Sequence, residues 1–142
     1  MRPDIVSEAR RWLGTPYLHQ ASTMGAGCDC LGLLLGVWRS VSGEVHVIPP
    51  YSQDWDEVAR EDVLLTAARI HLVEVPKAEM AAGDVILFRM RRGAVAKHLG
   101  ICSDRSAFIH SYSGHGVVES RLSEPWRRRI AAVFRFPEPT EN

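Results

Sequence analysis

The chain has no excess charge of either sign: seventeen lysines and arginines face seventeen aspartates and glutamates. Without a net positive field, nucleic acid is not an expected partner. No apolar run approaches the roughly 18–20 residues that cross a bilayer, so membrane insertion is not expected either. Cysteine is scarce. There are three, an odd number, and Cys28 and Cys30 stand too close for an ordinary bridge, which argues against a disulfide scaffold. Repeats and low-complexity segments are missing. So is a signal peptide: Met1-Arg2-Pro3-Asp4 leads straight into Ile5, Val6, Ala9, Trp12 and Leu13, an amphipathic helix stopped at Gly14. The expectation is synthesis in the cytoplasm without export through a leader.

What is present fits one compact enzyme domain over residues 1–142, with 137–142 as a frayed tail. Apolar residues make up 46% and charged residues 24% of the chain, ordinary for a globular protein. Three blocks organise it. Residues 4–42 hold the N-terminal helix, a turn at Tyr17 and a second apolar helix. Residues 43–80 open with Pro49-Pro50-Tyr51 and continue as a helix from Trp55 to about Arg69, where Asp54 and Glu57 resemble a capping box. Tyr51 and Trp55 either wall a cleft or pack in the core. The third block alternates β-rich runs with turns: Val85–Arg89, His98–Cys102, Ala107–Ser111, Val117–Glu119 and Ala131–Phe136. This is the pattern of an α+β fold, an antiparallel sheet packed against the second helix. The basic clusters at Arg89–Arg92 and Arg127–Arg129 read as solvated surface.

The chemistry centres on Cys30. The run Gly25-Ala26-Gly27-Cys28-Asp29-Cys30-Leu31-Gly32 puts a thiol where a glycine-rich loop becomes a helix, whose stripe is Leu31, Leu34, Leu35, Trp38 and Val41. Gly43 suits the left-handed cap that ends it. A thiol in the first turn meets unpaired N–H groups and the positive end of the helix dipole, so its pKa is expected to fall toward thiolate. A nucleophilic thiol needs a base, and the base needs an orienting group. His98 and His110 stand on two predicted strands joined at Ser103-Asp104-Arg105-Ser106. Their midpoint is Asp104. An odd-numbered loop centred there puts the two imidazoles directly opposite each other, about 4.5–5.5 Å apart at Cβ. A two-residue loop shifts the register by one and sends His110 to the other face.

Taken together, Gly14-Thr15-Pro16-Tyr17, Asp29-Cys30-Leu31-Gly32, Gly83-Asp84-Val85-Ile86-Leu87-Phe88, His98-Leu99-Gly100-Ile101 and His110 resemble the NlpC-type cell-wall cysteine peptidases, papain-like hydrolases. The resemblance runs from about Ile5 to Phe136. Gln20-Ala21-Ser22 and Cys28-Asp29-Cys30-Leu31 look most similar to the phage cell-wall peptidases encoded with tail genes, including those of gene transfer agents. The chain departs from the usual pattern at two places. His19-Gln20-Ala21 replaces a Gly-Gly after the tyrosine, and Leu31 replaces a serine after the nucleophile.

The resemblance implies a catalytic set of Cys30 as nucleophile, His98 as base and His110 as the residue orienting it. Tyr17 and the Cys30 backbone N–H would form the oxyanion site. It also implies a papain-like NlpC fold, no cofactor and no metal, and a peptidoglycan stem peptide as substrate, cut between D-glutamate and a diamino acid. Delivery by a phage tail-like particle, with tail or baseplate proteins as partners and action in the periplasm or cell wall, would solve the lack of a leader. His19, Tyr51 and Trp55 are the candidate substrate contacts. Cys28 is either a packing residue or a partner in reversible oxidation of Cys30, and Cys102 is expected in the core. Two other readings compete: a catalytically silent docking component of the same fold, and a zinc site made by Cys28, Cys30, His98 and His110.

Overall fold

The structure, a computed structural model, describes residues 1–43, 63–90 and 98–137. Tyr51, Trp55, the Asp54–Glu57 box, His46, Arg91 and Arg92 lie outside the described residues. A six-stranded antiparallel sheet forms the centre; five of its strands match the expected runs, and Val73–Val75, paired with the last strand, is a sixth that was not expected. In chain order the elements are α1 (Pro3–Arg10), β1 (Ser22–Thr23), β2 (Gly27–Cys28), α2 (Cys30–Ser42), α3 (Val63–His71) and β3 (Val73–Val75). Then come β4 (Val85–Phe88), β5 (His98–Asp104), β6 (Ala107–Tyr112), β7 (Gly116–Arg121), α4 (Glu124–Arg128) and β8 (Ile130–Arg135). The sheet order is β3-β8-β4-β5-β6-β7, so the last strand returns to sit between β3 and β4. Among the described residues no helix is long and apolar enough to cross a membrane.

Both faces of the sheet are covered, which explains the unbroken apolar run Val85-Ile86-Leu87-Phe88. Val85, Leu87, Leu99, Ile101 and Ile109 join the core that holds α1, α2 and α3 through Ile5, Trp12, Leu33, Val37, Trp38, Leu64 and Ala68. Ile86, Phe88, Cys102, Phe108 and Val133 face the other way, into a second cluster that Trp126 of α4 packs against. At about 1.5–3 kcal/mol per fully buried large side chain, the α2 stripe alone anchors this helix firmly. Gly36 lets α2 approach α1, because a Cβ there would overlap the indole of Trp12. Cys102 is core, as expected.

Gly83-Asp84 has a structural task. The buried Asp84 carboxylate accepts the Ala81 N–H at 2.8 Å and both arms of the Arg135 fork at 2.9 Å, tying the turn before β4 to the end of β8.

Candidate active site

Cys30 opens α2, and the residues around it are placed by Asp29. Asp29 is the N-cap, its Oδ1 accepting the Gly32 N–H at 2.7 Å. Its Oδ2 accepts the Gln20 N–H at 2.8 Å, and its own N–H donates to the Ala21 carbonyl at 3.3 Å. One carboxylate thus caps the nucleophile helix and pins the loop after Tyr17 to it. Gln20 takes a positive φ of 63° in this loop. His19 stands beside the same carboxylate, with Nδ1 3.8 Å from Asp29 Oδ2. Gly32 completes the arrangement, since a Cβ there would overlap the Ala21 carbonyl oxygen. The spacing Asp-Cys-x-Gly is therefore a steric and hydrogen-bonding requirement.

Tyr17 is positioned by a short ladder: Cys28 N–H donates to the Pro16 carbonyl at 3.0 Å and Leu18 N–H to the Cys28 carbonyl at 3.1 Å. Gly14 and Thr15 bracket Val117, with Gly14 N–H to Val117 O at 3.0 Å and Val117 N–H to Thr15 O at 2.9 Å. The half-buried Tyr17 phenol is raised above its ordinary pKa by burial first, and then by its neighbours Cys30 and Asp29. It stands within electrostatic reach of the thiol.

The histidines meet, but not in the expected register. The pairs Ile101↔Ile109 and Cys102↔Phe108 continue to place His110 opposite Gly100 and His98 opposite Tyr112. The turn is a two-residue one at Arg105-Ser106, braced by the Asp104 carboxylate on the Ser106 N–H and hydroxyl. Alone it would have put His110 on the wrong face. A bulge between Cys102 and Asp104 leaves Ser103 without a partner and restores the parity. The two rings are diagonal neighbours on one face, His98 Nε2 2.8 Å from His110 Nδ1. Gly100 clears the way, since a Cβ there would crowd Phe108, the Ile109 carbonyl and the His110 Cβ.

His110 Nε2 reaches Ser120 Oγ on β7 at 2.8 Å. Trp126 packs against both rings, with centroids 5.8 Å from His98 and 5.3 Å from His110, and Tyr112 stacks on His110 at 5.4 Å. Sequence reasoning missed Ser120, Tyr112 and Trp126. The one available signal was the β6–β7 hairpin, whose register His110↔Val118 puts Ser120 diagonal to His110.

The electrostatics correct one expectation. The thiol of Cys30 is not drawn toward thiolate; it is pushed up to about 12, by burial first and then by the Asp29 charge. The backbone N–H groups of Leu99, Leu31 and Cys30 pull the other way and lose. His98 is pushed down to about 3 by burial and then by His110, and His110 down to about 4 by burial and then by His115. Desolvation outweighs the helix terminus, so a neutral thiol beside neutral rings replaces the expected thiolate. That the sulfur meets the Leu99 N–H also locates it at the start of β5, beside His98.

Buried neutral histidines make stability pH-dependent. Unfolded histidines bind protons near pH 6.5, the folded ones only near the values above. Between about pH 6.5 and 4 the unfolded state therefore binds more protons, and stability falls as pH falls. Calorimetry should show the wild-type midpoint dropping through this window, and His110→Asn dropping less. Parallel curves would mean His110 is not held neutral by burial.

Cys28 is fully buried and its thiol is raised to about 11 chiefly by burial, while the Ser111 hydroxyl donates to its backbone carbonyl at 2.7 Å, which places it as packing. The zinc alternative does not survive: among the described residues no three of His, Cys, Asp or Glu gather as a metal site. His98 and His110 spend ring nitrogens on each other, and the Cys28 side chain is fully buried.

An antiparallel sheet bearing a bonded histidine pair, with a thiol at the first residue of a helix packed against it, is the α+β arrangement that the motif resemblance implied. Residues 14–135 match the NlpC/P60 family, and the chain belongs to that family. It is similar to a gamma-DL-glutamyl hydrolase of Bacillus subtilis, 27% identical over 97% of this chain and 31% of the relative. It is also similar to the murein DD-endopeptidase/murein LD-carboxypeptidase MepS of Escherichia coli, 26% identical over 92% of this chain and 61% of the relative. The chain thus spans about a third to three fifths of the length of these curated relatives. An NlpC/P60 family protein of Bacillus cereus superposes with a TM-score of 0.69, at 22% identity, over 96% of this chain and 40% of that one.

Proposed function

We propose that this chain is a cysteine peptidase that hydrolyses peptide stems of peptidoglycan. The observation that carries the reading is the Cys30 sulfur set against the backbone beside His98, while His98 Nε2 is engaged by His110. That bond leaves Nδ1 of His98 for the thiol. With both groups neutral at rest, His98 acts as general base. The Cys30 proton moves to His98 Nδ1 as the sulfur attacks the scissile carbonyl, and the imidazolium then protonates the leaving amine. Water hydrolyses the thioester with His98 as base again. The Cys30 backbone N–H and the Tyr17 hydroxyl stabilise the oxyanion, each donor contributing about 3–4 kcal/mol in comparable sites. His110 is the positioning residue for His98.

The scissile bond we favour joins γ-D-glutamate to a diamino acid. The support is the resemblance of the motifs and a relative whose name specifies a γ-glutamyl hydrolase. His19, near Asp29, is a candidate substrate contact, since it stands where the usual pattern has glycine. Carriage by a phage tail-like particle to the periplasm or wall is part of the same proposal, resting on the Gln20-Ala21-Ser22 and Cys28–Leu31 runs. Digestion of diaminopimelate-type peptidoglycan, read by mass spectrometry, tests the reaction. A dipeptide-bearing fragment and loss of disaccharide-tetrapeptide are expected. Unchanged muropeptides would favour the silent docking component.

A further inference from the structure

We propose that Ser120 is a positioning residue of the reaction: by accepting the His110 Nε2–H it supports the tautomer of His110 that lets His98 work as a base. The inference rests on His98 being that base. His98 Nε2 and His110 Nδ1 are 2.8 Å apart, and a single proton lies between them. Two arrangements satisfy this contact. In one, His110 carries its proton on Nδ1 and donates to His98 Nε2. His98 then holds its own proton on Nδ1, toward the thiol, and has no lone pair to receive another. In the other, His98 donates from Nε2 to a bare His110 Nδ1, and His98 Nδ1 presents a lone pair to Cys30. Only the second supports attack.

The second also survives the proton transfer. When the Cys30 proton arrives at His98 Nδ1, the imidazolium keeps its Nε2–H and still needs an acceptor there. His110 Nδ1 is that acceptor only if the His110 proton sits on Nε2. His110 is fully buried, so an Nε2–H without a partner would be costly. Ser120 Oγ, 2.8 Å away, is the partner. No proton passes beyond His98; Ser120 and His110 hold theirs throughout. The hydroxyl reaches the ring because β6 and β7 pair in the register Phe108↔Ser120 and His110↔Val118, which makes Ser120 a diagonal neighbour of His110.

The experiment compares Ser120→Val with Ser120→Thr, near-isosteric side chains suited to a strand that differ in the hydroxyl. Two-bond proton–nitrogen correlation spectra of the labelled histidines read the tautomers directly. Wild type and Ser120→Thr should show His110 protonated on Nε2, and Ser120→Val should lose that preference. On muropeptide, Ser120→Val should lower kcat about 10–100-fold, the usual effect of removing an outer hydrogen-bond partner, with KM within about twofold; Ser120→Thr should restore kcat. Wild-type His110 protonated on Nδ1, an unchanged tautomer in Ser120→Val, or a changed tautomer with unchanged kcat would each overturn the proposal. If wild type cleaves no peptidoglycan, the function proposed above fails, while the spectra still decide whether Ser120 sets the tautomer.

Discussion

Cys30→Ser is expected to lose about four orders of magnitude or more in turnover on peptidoglycan while keeping its fold, in line with removal of a nucleophile from other triads. The replaced atom is nearly isosteric, and the Asp29 cap acts through backbone N–H groups that any residue supplies. Chemistry is what changes. The Cys30 thiol already stands near 12 and His98 near 3, so His98 is a weak base facing a reluctant acid. A serine hydroxyl, less acidic still, widens that gap. Calorimetry should place the two proteins at the same midpoint, and muropeptide analysis should find product from wild type alone. Turnover within about tenfold of wild type would remove Cys30 from the role of nucleophile.

Gly32→Ala has the next largest expected effect, and its origin is steric. The added Cβ would occupy the Ala21 carbonyl oxygen. That carbonyl accepts the Asp29 N–H at 3.3 Å, and Asp29 holds Gln20 at 2.8 Å. Relief requires the loop to leave or the first turn of α2 to open, and either move displaces Tyr17 from Cys30. Overpacking of this kind costs about 1–3 kcal/mol, a fall of about 4–12 °C in Tm for a chain of this size. A fall in kcat should accompany it. Gly36→Ala is the control: its Cβ would strike Trp12, one turn further along α2 from the nucleophile, so it should lower Tm comparably and leave kcat of the folded fraction intact. If Gly32→Ala keeps wild-type kcat, the loop does not set the oxyanion site.

Much of the site was legible because it is written in local rules. An aspartate before a helix caps it, a glycine three residues on permits a close approach, and β-rich runs around polar turns make hairpins. Those rules marked Cys30, His98 and His110 as candidates, and the family resemblance added Tyr17. They did not find the Ser103 bulge, since turn type and loop length can be read in sequence but an unpaired residue in a ladder cannot. The Trp126 ring over the histidines also escaped, because α4 follows β7 as a five-residue helix with no periodicity of its own.

The amino-acid sequence by itself determined the candidate groups for the chemistry, the first two helices, five of the six central strands and the α+β class. These follow from side-chain type and from spacings of a few residues. Only the tertiary structure decided the charge state of the thiol and the rings, because desolvation depends on everything packed around them and outweighed the helix terminus that the local pattern emphasised. It also decided which partner completes the histidine pair: Ser120 belongs to a strand whose register is set by the whole sheet.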